Sequence, residues 1–265
     1  MSAIKIAIHG AAGRMGQRLL ALAVGDPGLQ IAAALESAQH PRLGQDAGQV
    51  AGVGDLGIPL AGKLEAPVDV VIDFSSPAGA MAILETCRSR GLRLVLATTG
   101  LEPEQIDHVR QASKTIPLLW APSMSLAVNL AMKLSAVAAG ALKDHPSGAD
   151  VEIIERHHRF KEDSPSGTAL KFGEIIAGVM GQTQASHGRE GRPGARPHGE
   201  IGYHAVRVGD NPGEHTIVFG LLGETLEISV KATNRDCYAH GALAAAKFLA
   251  DKTPGLYDMN DVLGL

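Results

Sequence analysis

The sequence predicts an α/β fold with a doubly wound parallel sheet, followed by a second α+β domain with a mixed sheet. The composition, 45% hydrophobic but only 3% aromatic with 32 glycines, favours an aliphatic core and many tight turns. In the first half of the chain, strand-like runs alternate with helix-like runs, which is the order of parallel βαβ units. In the second half, strand-like runs follow one another on short connections, which indicates antiparallel or mixed pairing.

Five apolar runs in the first half are predicted strands, and three longer runs between them are predicted helices. The strands are uniformly aliphatic, as expected when a parallel sheet is covered on both faces. One helix has Pro77 near its start and Gly91 after its end, which is the usual asymmetry of helix termini. The strands are IKIAIHG, LQIAAALE, VDVVIDFS, RLVLATTG and PLLWAPS, and the helices are RMGQRLLALAV, PAGAMAILETCRSRG and PEQIDHVRQASK.

The pattern changes after residue 125. A long helix, Leu126–Leu142, precedes the strand ADVEIIERHH and a helix that begins near Ser166. Residues 182–200 are rich in Gly, Pro and charge and are predicted to form a mobile loop. Three alternating strands follow, and the segment YAHGALAAAKFLADK is predicted to be a helix that packs back on the first domain. The three strands are IGYHAVRVG, GEHTIVFGLL and ETLEISVKATN.

Charge and cysteine content narrow the functional classes. Lys and Arg number 24 against 28 Asp and Glu, so a net charge of -4 gives no basic field for nucleic acid or an anionic membrane. Cys87 and Cys237 make a disulfide framework unexpected and fit a reducing compartment. No signal peptide is visible, and the longest apolar segment contains Asn129 and Lys133, as in a soluble helix. We therefore expect a cytoplasmic protein with neither nucleic acid nor membrane as a partner.

A glycine-rich turn lies between the first predicted strand and the first predicted helix. The stretch GAAGRMG places Gly10, Gly13 and Gly16 at this turn. A dinucleotide site needs a tight turn, close backbone approach to a pyrophosphate and an open helix N-terminus, and all three are provided here. The turn therefore predicts a nucleotide-binding domain.

An acidic residue ends the second predicted strand. Glu36 follows the glycines by about twenty residues, where an acid can accept hydrogen bonds from the ribose hydroxyls of a dinucleotide. Ser37 follows it, so no arginine stands there to meet a 2′-phosphate, although Arg14 and Lys5 are other possible partners. We therefore expect NADH to be at least as good a cofactor as NADPH.

Two further stretches, ATTG at 97–100 and APSM at 121–124, lie at the carboxyl ends of predicted strands. Ligands bind at that edge of a doubly wound sheet. Small residues there let a nicotinamide approach the backbone, and they equally suit ordinary turns.

The stretch ERHHRFKEDSPSGTAL combines two histidines, a lysine and a capped helix start. If the strand continued through His157 and His158, only one of them could face a given ligand. Ser164 or Ser166 is a candidate N-cap, and such a helix start binds carboxylates or phosphates. A histidine titrates near neutrality, and Lys161 supplies a compact charge or a proton. The spacing expected of zinc motifs is absent, so we expect no metal. Together with a dinucleotide site, this stretch indicates hydride transfer coupled to protonation of a small anionic substrate.

Three stretches resemble the 4-hydroxy-tetrahydrodipicolinate reductase family, also called dihydrodipicolinate reductase, of the diaminopimelate and lysine pathway. They are GAAGRMG, ERHHRFKEDSPSGTAL and RVGDNPGEHTIVF, and the resemblance covers essentially the whole chain. His-His-x-x-Lys followed by Ser-Gly-Thr is its most discriminating part. The resemblance implies NAD(P)H-dependent reduction of 4-hydroxy-tetrahydrodipicolinate, a small cyclic dicarboxylate, to tetrahydrodipicolinate.

The resemblance also implies roles for both domains and for single residues. Residues 1–125, completed by 236–265, would form a Rossmann-type nucleotide-binding domain, and residues 126–235 would bind substrate and assemble a homotetramer. His157 would be the acid/base and Lys161 a proton donor. The substrate carboxylates would be held by His158, Ser166, Gly167 and Thr168, and NADH or NADPH would be bound by Gly10, Ala11, Ala12, Gly13, Arg14, Met15, Glu36, Ala97, Thr98, Thr99, Ala121, Pro122, Ser123 and Met124.

Two positions depart from the family pattern. The family commonly has asparagine followed by phenylalanine or methionine where this chain has Ser123-Met124 after Pro122. Ser37 replaces the basic residue that some members place after the ribose acid, which agrees with the expectation for NADH.

Two other functions remain open at this point. One is a different NAD(P)-dependent reductase of a small carboxylate, such as an amino-acid or aldehyde dehydrogenase, although neither Cys87 nor Cys237 lies in a nucleophile motif. The other is a dinucleotide-sensing protein without turnover, although the sequence has no basic or helix-turn-helix segment for DNA.

Overall fold

A computed structural model describes residues 2–265, which form two compact units. Unit 1 contains residues 2–126 and 235–265, and unit 2 contains Ala127–Asn234. The chain therefore leaves unit 1 once, builds unit 2 as an insertion and returns to complete unit 1.

Strands and helices are numbered in chain order. The strands are β1 (Ile4–His9), β2 (Leu29–Leu35), β3 (Leu60–Ala61), β4 (Val70–Asp73), β5 (Arg93–Leu96), β6 (Pro117–Trp120), β7 (Asp150–His157), β8 (Gln184–His187), β9 (Glu200–Arg207), β10 (Glu214–Leu221), β11 (Glu224–Lys231) and β12 (Gly255–Tyr257). The helices are α1 (Arg14–Val24), α2 (Ala47–Ala51), α3 (Pro77–Arg90), α4 (Pro103–Ala112), α5 (Leu126–Leu142), α6 (Gly167–Met180), α7 (Asp236–Leu249) and α8 (Met259–Leu263).

Unit 1 is built on a seven-stranded parallel sheet with the order β12-β6-β5-β4-β1-β2-β3. The chain runs from β1 to one edge through β2 and β3, and then from β4 to the other edge. The order reverses between β1 and β4, and parallel sheets bind ligands at the carboxyl ends of strands beside such a switch point. The loops after His9 and Asp73 therefore lie where a cofactor is expected.

Both faces of this sheet are covered. Ile6 and Ile8 of β1 face one core, to which α1 and α7 contribute residues such as Leu20 and Leu249. Ala7, between them on the strand, faces the other core with α3 and α4. This alternation follows from the two-residue period of a strand, and it explains why the sequence runs are uniformly apolar.

Unit 2 contains a five-stranded mixed sheet with the order β11-β10-β7-β9-β8. β7 pairs in parallel with β9 and antiparallel with β10. Val151 and Ile153 of β7 pack in a core with Phe172 of α6 and Met132 of α5. The helices thus cover one face of the sheet, and the alternate residues of each strand face away from them.

The structure confirms the predicted fold class, a doubly wound parallel sheet with a second domain on a mixed sheet. The predicted bounds of α1 and α5 are those observed. The sequence prediction missed the short elements α2, α8, β3 and β12, none longer than five residues, because so few residues give no periodic signal. Among residues 2–265, no helix is long and apolar enough to cross a membrane.

The prediction of a mobile loop over residues 182–200 is wrong in part, because the segment contains a strand. Gln184–His187 forms β8, a parallel edge strand next to β9. Its sequence, QASH, has no apolar alternation, so nothing in the pattern distinguished it from a loop. Further along, the Arg196 guanidinium donates to Asp150 at 2.7 Å and to Glu152 at 2.9 Å, which ties this segment to β7.

Two glycines of α6 should respond oppositely to alanine. A Cβ at Gly173 would overlap the Tyr203 hydroxyl, whereas Gly178 on the same helix has nothing within 4 Å. We expect Gly173→Ala to lower the free energy of unfolding by about 1–3 kcal/mol through overpacking. Gly178→Ala should raise it by about 0.5–1 kcal/mol through helix propensity. Urea titration of both variants measures this, and equal effects at both positions would contradict the packing of α6 on β9.

Candidate active site

The candidate site residues fall into two groups, one in each unit. The first group starts at the glycine turn. Gly10 has φ +79°, and a Cβ there would overlap the carbonyl group of Phe74, so only glycine fits. Gly13 is the N-cap of α1 and makes no side-chain cap hydrogen bond. The first N–H groups of this helix therefore lack a side-chain cap and can bind an anion such as a pyrophosphate.

Glu36 lies next to this turn in space. Its carboxylate accepts a hydrogen bond from the Ala12 backbone N–H at 2.8 Å and a longer one from the Ser37 N–H at 3.3 Å. The acid thus joins the end of β2 to the glycine turn. This is the position at which an acid can meet a ribose in a dinucleotide-binding fold.

A buried carboxylate, Asp73 at the end of β4, connects two parts of the predicted cofactor site. Asp73 is fully buried, and its Oδ1 lies 2.6 Å from His9 Nδ1. Ser75 Oγ donates to the same oxygen at 2.6 Å, and Thr98 Oγ1 donates to Oδ2 at 2.6 Å. His9 directly precedes Gly10, so this cluster joins the glycine turn to the ATTG segment after β5.

The other predicted cofactor residues differ in exposure. The side chains of Ala11 and Met124 pack in the core, so only their backbone can meet a ligand. Thr99 and Pro122 are exposed. The open glycine turn, the uncapped helix start and the acid after β2 together fit a dinucleotide. The remaining predicted residues are buried Ala97 and Ala121, half-buried Met15 and Ser123, and exposed Arg14.

The second group lies in unit 2 at the end of β7. His157 is the last residue of that strand, and its Nδ1 lies 2.5 Å from Oε2 of Glu155, which is 1% exposed. The pKa of His157 lies below its usual value; burial is the largest cause, and Glu155 acts in the opposite direction. The positive charges of Lys161 and Arg207 also lower it. His157 is therefore mainly neutral at neutral pH.

Glu155 is held by two groups besides His157. Arg207 donates to both of its carboxylate oxygens at 2.8 Å, and the Ser166 backbone N–H donates to Oε1 at 3.0 Å. Burial alone would raise the pKa of Glu155, but the bonds from Arg207, His157 and Ser166 together lower it. Glu155 is therefore a carboxylate. Arg207 also donates to the Asp163 carbonyl at 2.6 Å, which holds the loop that carries Lys161.

A carboxylate in the loop before α6 already pairs with Lys161. Lys161 Nζ lies 2.8 Å from Oδ1 of Asp163. The Lys161 ammonium and, more weakly, the Gly167 backbone N–H lower the pKa of Asp163. Ser166, and not Ser164, is the N-cap of α6, and its hydroxyl accepts from the Ala169 N–H at 3.2 Å. These groups can therefore bind a carboxylate, and their binding of a substrate carboxylate stays a prediction.

Two more histidines lie close to this group. The backbone N–H of His158 donates to the Asn211 carbonyl at 2.8 Å, and its buried Nδ1 has no hydrogen-bond partner among residues 2–265. His215 is 4% exposed, and its ring meets that of His157 edge-on with centroids 5.3 Å apart. Burial, and next the charge of His157, lower the pKa of His215 to about 4.

The sequence predicted His157, Lys161 and Ser166 as site residues, and the structure joins them through one network of hydrogen bonds and ion pairs. The sequence prediction missed Glu155, Arg207 and His215. The signal that could have found Glu155 is its place two residues before His157, on the same buried face of a strand. Thr168, also predicted, is half-buried in the first turn of α6.

Two models of one protein family match this chain along nearly its whole length. The family model "Dihydrodipicolinate reductase, N-terminus" matches residues 4–124, and "Dihydrodipicolinate reductase, C-terminus" matches residues 127–263. The chain belongs to the dihydrodipicolinate reductase family.

Relatives within the family match along the whole chain. A 4-hydroxy-tetrahydrodipicolinate reductase of Rhodopirellula baltica is 56% identical, with 99% of this chain and 96% of the relative covered. One of Methylococcus capsulatus is 45% identical, with 99% and 98% covered. The solved structure of a dipicolinate-bound dihydrodipicolinate reductase from Paenisporosarcina has a TM-score of 0.78 at 25% identity, with 97% of each chain covered.

The low pKa of His215 makes the folded state sensitive to acid. An unfolded histidine titrates near 6.5, so between pH 6.5 and about 4 the unfolded state binds the extra proton and stability falls as pH falls. The full difference is roughly 3 kcal/mol. We expect His215→Phe, which leaves an aromatic ring beside Phe172, to reduce this loss in urea titrations between those pH values. The exposed His108→Phe is the control, and an unchanged acid dependence in His215→Phe would contradict the burial of a neutral His215.

Proposed function

We propose that this chain reduces 4-hydroxy-tetrahydrodipicolinate to tetrahydrodipicolinate with NADH or NADPH, as a step of lysine and diaminopimelate biosynthesis. Membership of the dihydrodipicolinate reductase family supports this proposal. The observation that carries it is the Asp163 carboxylate, which pairs with Lys161 at 2.8 Å in the loop before α6, within a few residues of His157. A cyclic dicarboxylate carries carboxylates that could pair with Lys161 as Asp163 does, and its ring would then lie near His157 for protonation.

The chemistry explains why both units are needed. The substrate loses water to give a conjugated imine, and NADH or NADPH supplies the hydride when bound. Hydride addition leaves an electron pair on the neighbouring ring carbon, and that carbon must be protonated. His157 and Lys161 are the proposed donors, and His158, Ser166, Gly167 and Thr168 are proposed to hold the carboxylates.

In unit 1, the proposed cofactor residues surround the glycine turn and the ends of β5 and β6. The first N–H groups of α1 would meet the pyrophosphate, and Glu36 would meet the ribose. The Asp73 cluster would keep His9 and Thr98 in place on either side of the switch point. The glycine turn supports a dinucleotide cofactor. The proposed choice between NADH and NADPH depends on Glu36 and on Ser37, the residue after it.

We propose that NADH is at least as good a cofactor as NADPH. Ser37 has no positive charge for a 2′-phosphate, and the Glu36 carboxylate would repel one. The expected result is a kcat/KM for NADH equal to or above that for NADPH. Steady-state rates with each cofactor at saturating substrate measure this, and a strong preference for NADPH would contradict the role given to Glu36 and Ser37.

We also propose a homotetramer in the cytoplasm. The face of the unit 2 sheet that points away from α5 and α6 carries exposed apolar side chains, among them Ile154 at 42% and Val206 at 40%. A sheet face of this kind favours association with further copies of the chain. Light scattering should give four times the mass of one chain, and a monomer at working concentrations would contradict the assembly.

The test of the main proposal is NADH oxidation with substrate generated in place from pyruvate and aspartate semialdehyde by the preceding synthase. We expect the wild type to turn over, and His157→Gln and Lys161→Ala to lose about 10²- to 10⁴-fold in kcat, the contribution of a positioned acid or base. Cofactor affinity should change little, because both residues belong to unit 2.

Lys171→Ala is the matched control. Lys171 lies on α6, where its Nζ pairs with Glu174 at 3.0 Å, so its loss removes the same charge from the same unit. Near-normal turnover of Lys161→Ala would contradict the role of that lysine. A wild type inactive with both cofactors would contradict the reductase, and a dinucleotide-sensing protein would then be the better proposal.

A further inference from the structure

The hydrogen bonds of Glu155 determine which nitrogen of His157 carries the proton. Both oxygens of Glu155 accept from Arg207, and Oε1 also accepts from the Ser166 N–H. An arginine and a backbone amide can only donate, and together with His157 they lower the pKa of Glu155, so Glu155 is an ionised carboxylate that can only accept. The contact of 2.5 Å with His157 is therefore a hydrogen bond in which Nδ1–H donates to Oε2.

The other ring nitrogen of His157 faces Gly213. A Cβ at that position would lie 2.9 Å from Nε2, and Gly213 has φ +152°, so both space and backbone conformation favour glycine there. The neutral imidazole thus carries its proton on Nδ1 and its lone pair on Nε2. Nε2 is the nitrogen left for a ligand.

We propose that Glu155, with Arg207, is a positioning residue that fixes His157 as the Nδ1–H tautomer and so makes Nε2 the nitrogen that exchanges a proton with the substrate. This inference rests on the proposed function. Solvent first protonates Nε2 of the neutral imidazole. The electron pair on the ring carbon then forms the C–H bond as the Nε2–H bond of the imidazolium breaks, which leaves His157 as the neutral Nδ1–H form. Nδ1–H and the charge of Glu155 are unchanged throughout.

The same two residues also connect the parts of the proposed substrate site. Glu155 holds the N–H of Ser166 at the start of α6, and Arg207 holds the carbonyl of Asp163 in the loop with Lys161. One buried ion pair therefore sets the position of His157, of the helix start and of the lysine loop. A change at Glu155 that keeps one oxygen should leave the helix start in place and alter the histidine.

Glu155→Gln is such a change. A glutamine has one acceptor oxygen and one NH₂ donor, and Arg207 and Ser166 can only donate. His157 is the one partner of Glu155 able to become an acceptor, so the amide NH₂ turns toward Nδ1 and the imidazole proton moves to Nε2. The imidazolium also loses the negative charge that stabilises it.

The experiment is ¹⁵N NMR of protein with labelled histidine at about pH 8, where a histidine of lowered pKa is neutral. The signal of His157 is assigned by its loss in His157→Gln. We expect the Nδ1–H tautomer in the wild type and the Nε2–H tautomer in Glu155→Gln. The same variant should lose about 10²- to 10⁴-fold in kcat while its affinity for dipicolinate, used as a dicarboxylate probe, changes little.

Glu152→Gln is the matched control. Glu152 lies on the same strand, facing away from Glu155, and accepts from Arg189, Arg196 and His204 in a comparable cluster. The tautomer of His157 should be the same in this variant as in the wild type. A tautomer change in both variants would show a general effect on β7 and overturn the inference.

Other outcomes separate the inference from the proposed function. A wild-type His157 that carries its proton on Nε2 overturns the inference even if Glu155→Gln does not fold, and so does near-normal kcat in a folded Glu155→Gln. A wild type with the Nδ1–H tautomer but without turnover leaves the geometry of His157 intact and contradicts the reductase.

Discussion

A parallel sheet must be covered on both faces, and this constraint organises the whole chain. One of its two layers includes α7, which the chain supplies only after unit 2 is complete. Unit 2 is therefore inserted between two parts of one hydrophobic core, and the core of unit 1 remains open until residues 235–265 are in place. β12 then extends the same sheet by pairing with β6. The core of unit 1 is thus built from both ends of the sequence.

Each unit keeps its polar site groups in place with one buried carboxylate at the end of a strand. Asp73 in unit 1 binds side chains from three successive segments, and Glu155 in unit 2 binds a histidine, an arginine and a helix start. Burying a carboxylate costs free energy unless hydrogen-bond partners satisfy it, so the loss of one partner destabilises the whole cluster. This explains how loops of small, adaptable residues can present a fixed geometry to a ligand.

The sequence was most informative where the physical signal is local and long. α1, α5 and the five longer strands of unit 1 follow from their apolar patterns, and Ser166 follows from capping chemistry. β8 could not be predicted, because an edge strand of polar residues is defined by its neighbour β9 and not by its own pattern. Glu155 and Arg207 were missed for a similar reason: they are 52 residues apart, and only the pairing of β7 with β9 brings them together.

The charged side chains of β7 also help to fix the register in which this strand pairs with its neighbours. Glu155 points to the helix-covered face of the sheet and Glu152 to the opposite face, and each finds arginine only on its own side. Because side chains alternate with a period of two, a slip of β7 by one residue would exchange the faces and leave both carboxylates among the wrong partners. Here the correct alignment of strands that meet from distant parts of the chain is enforced by electrostatics.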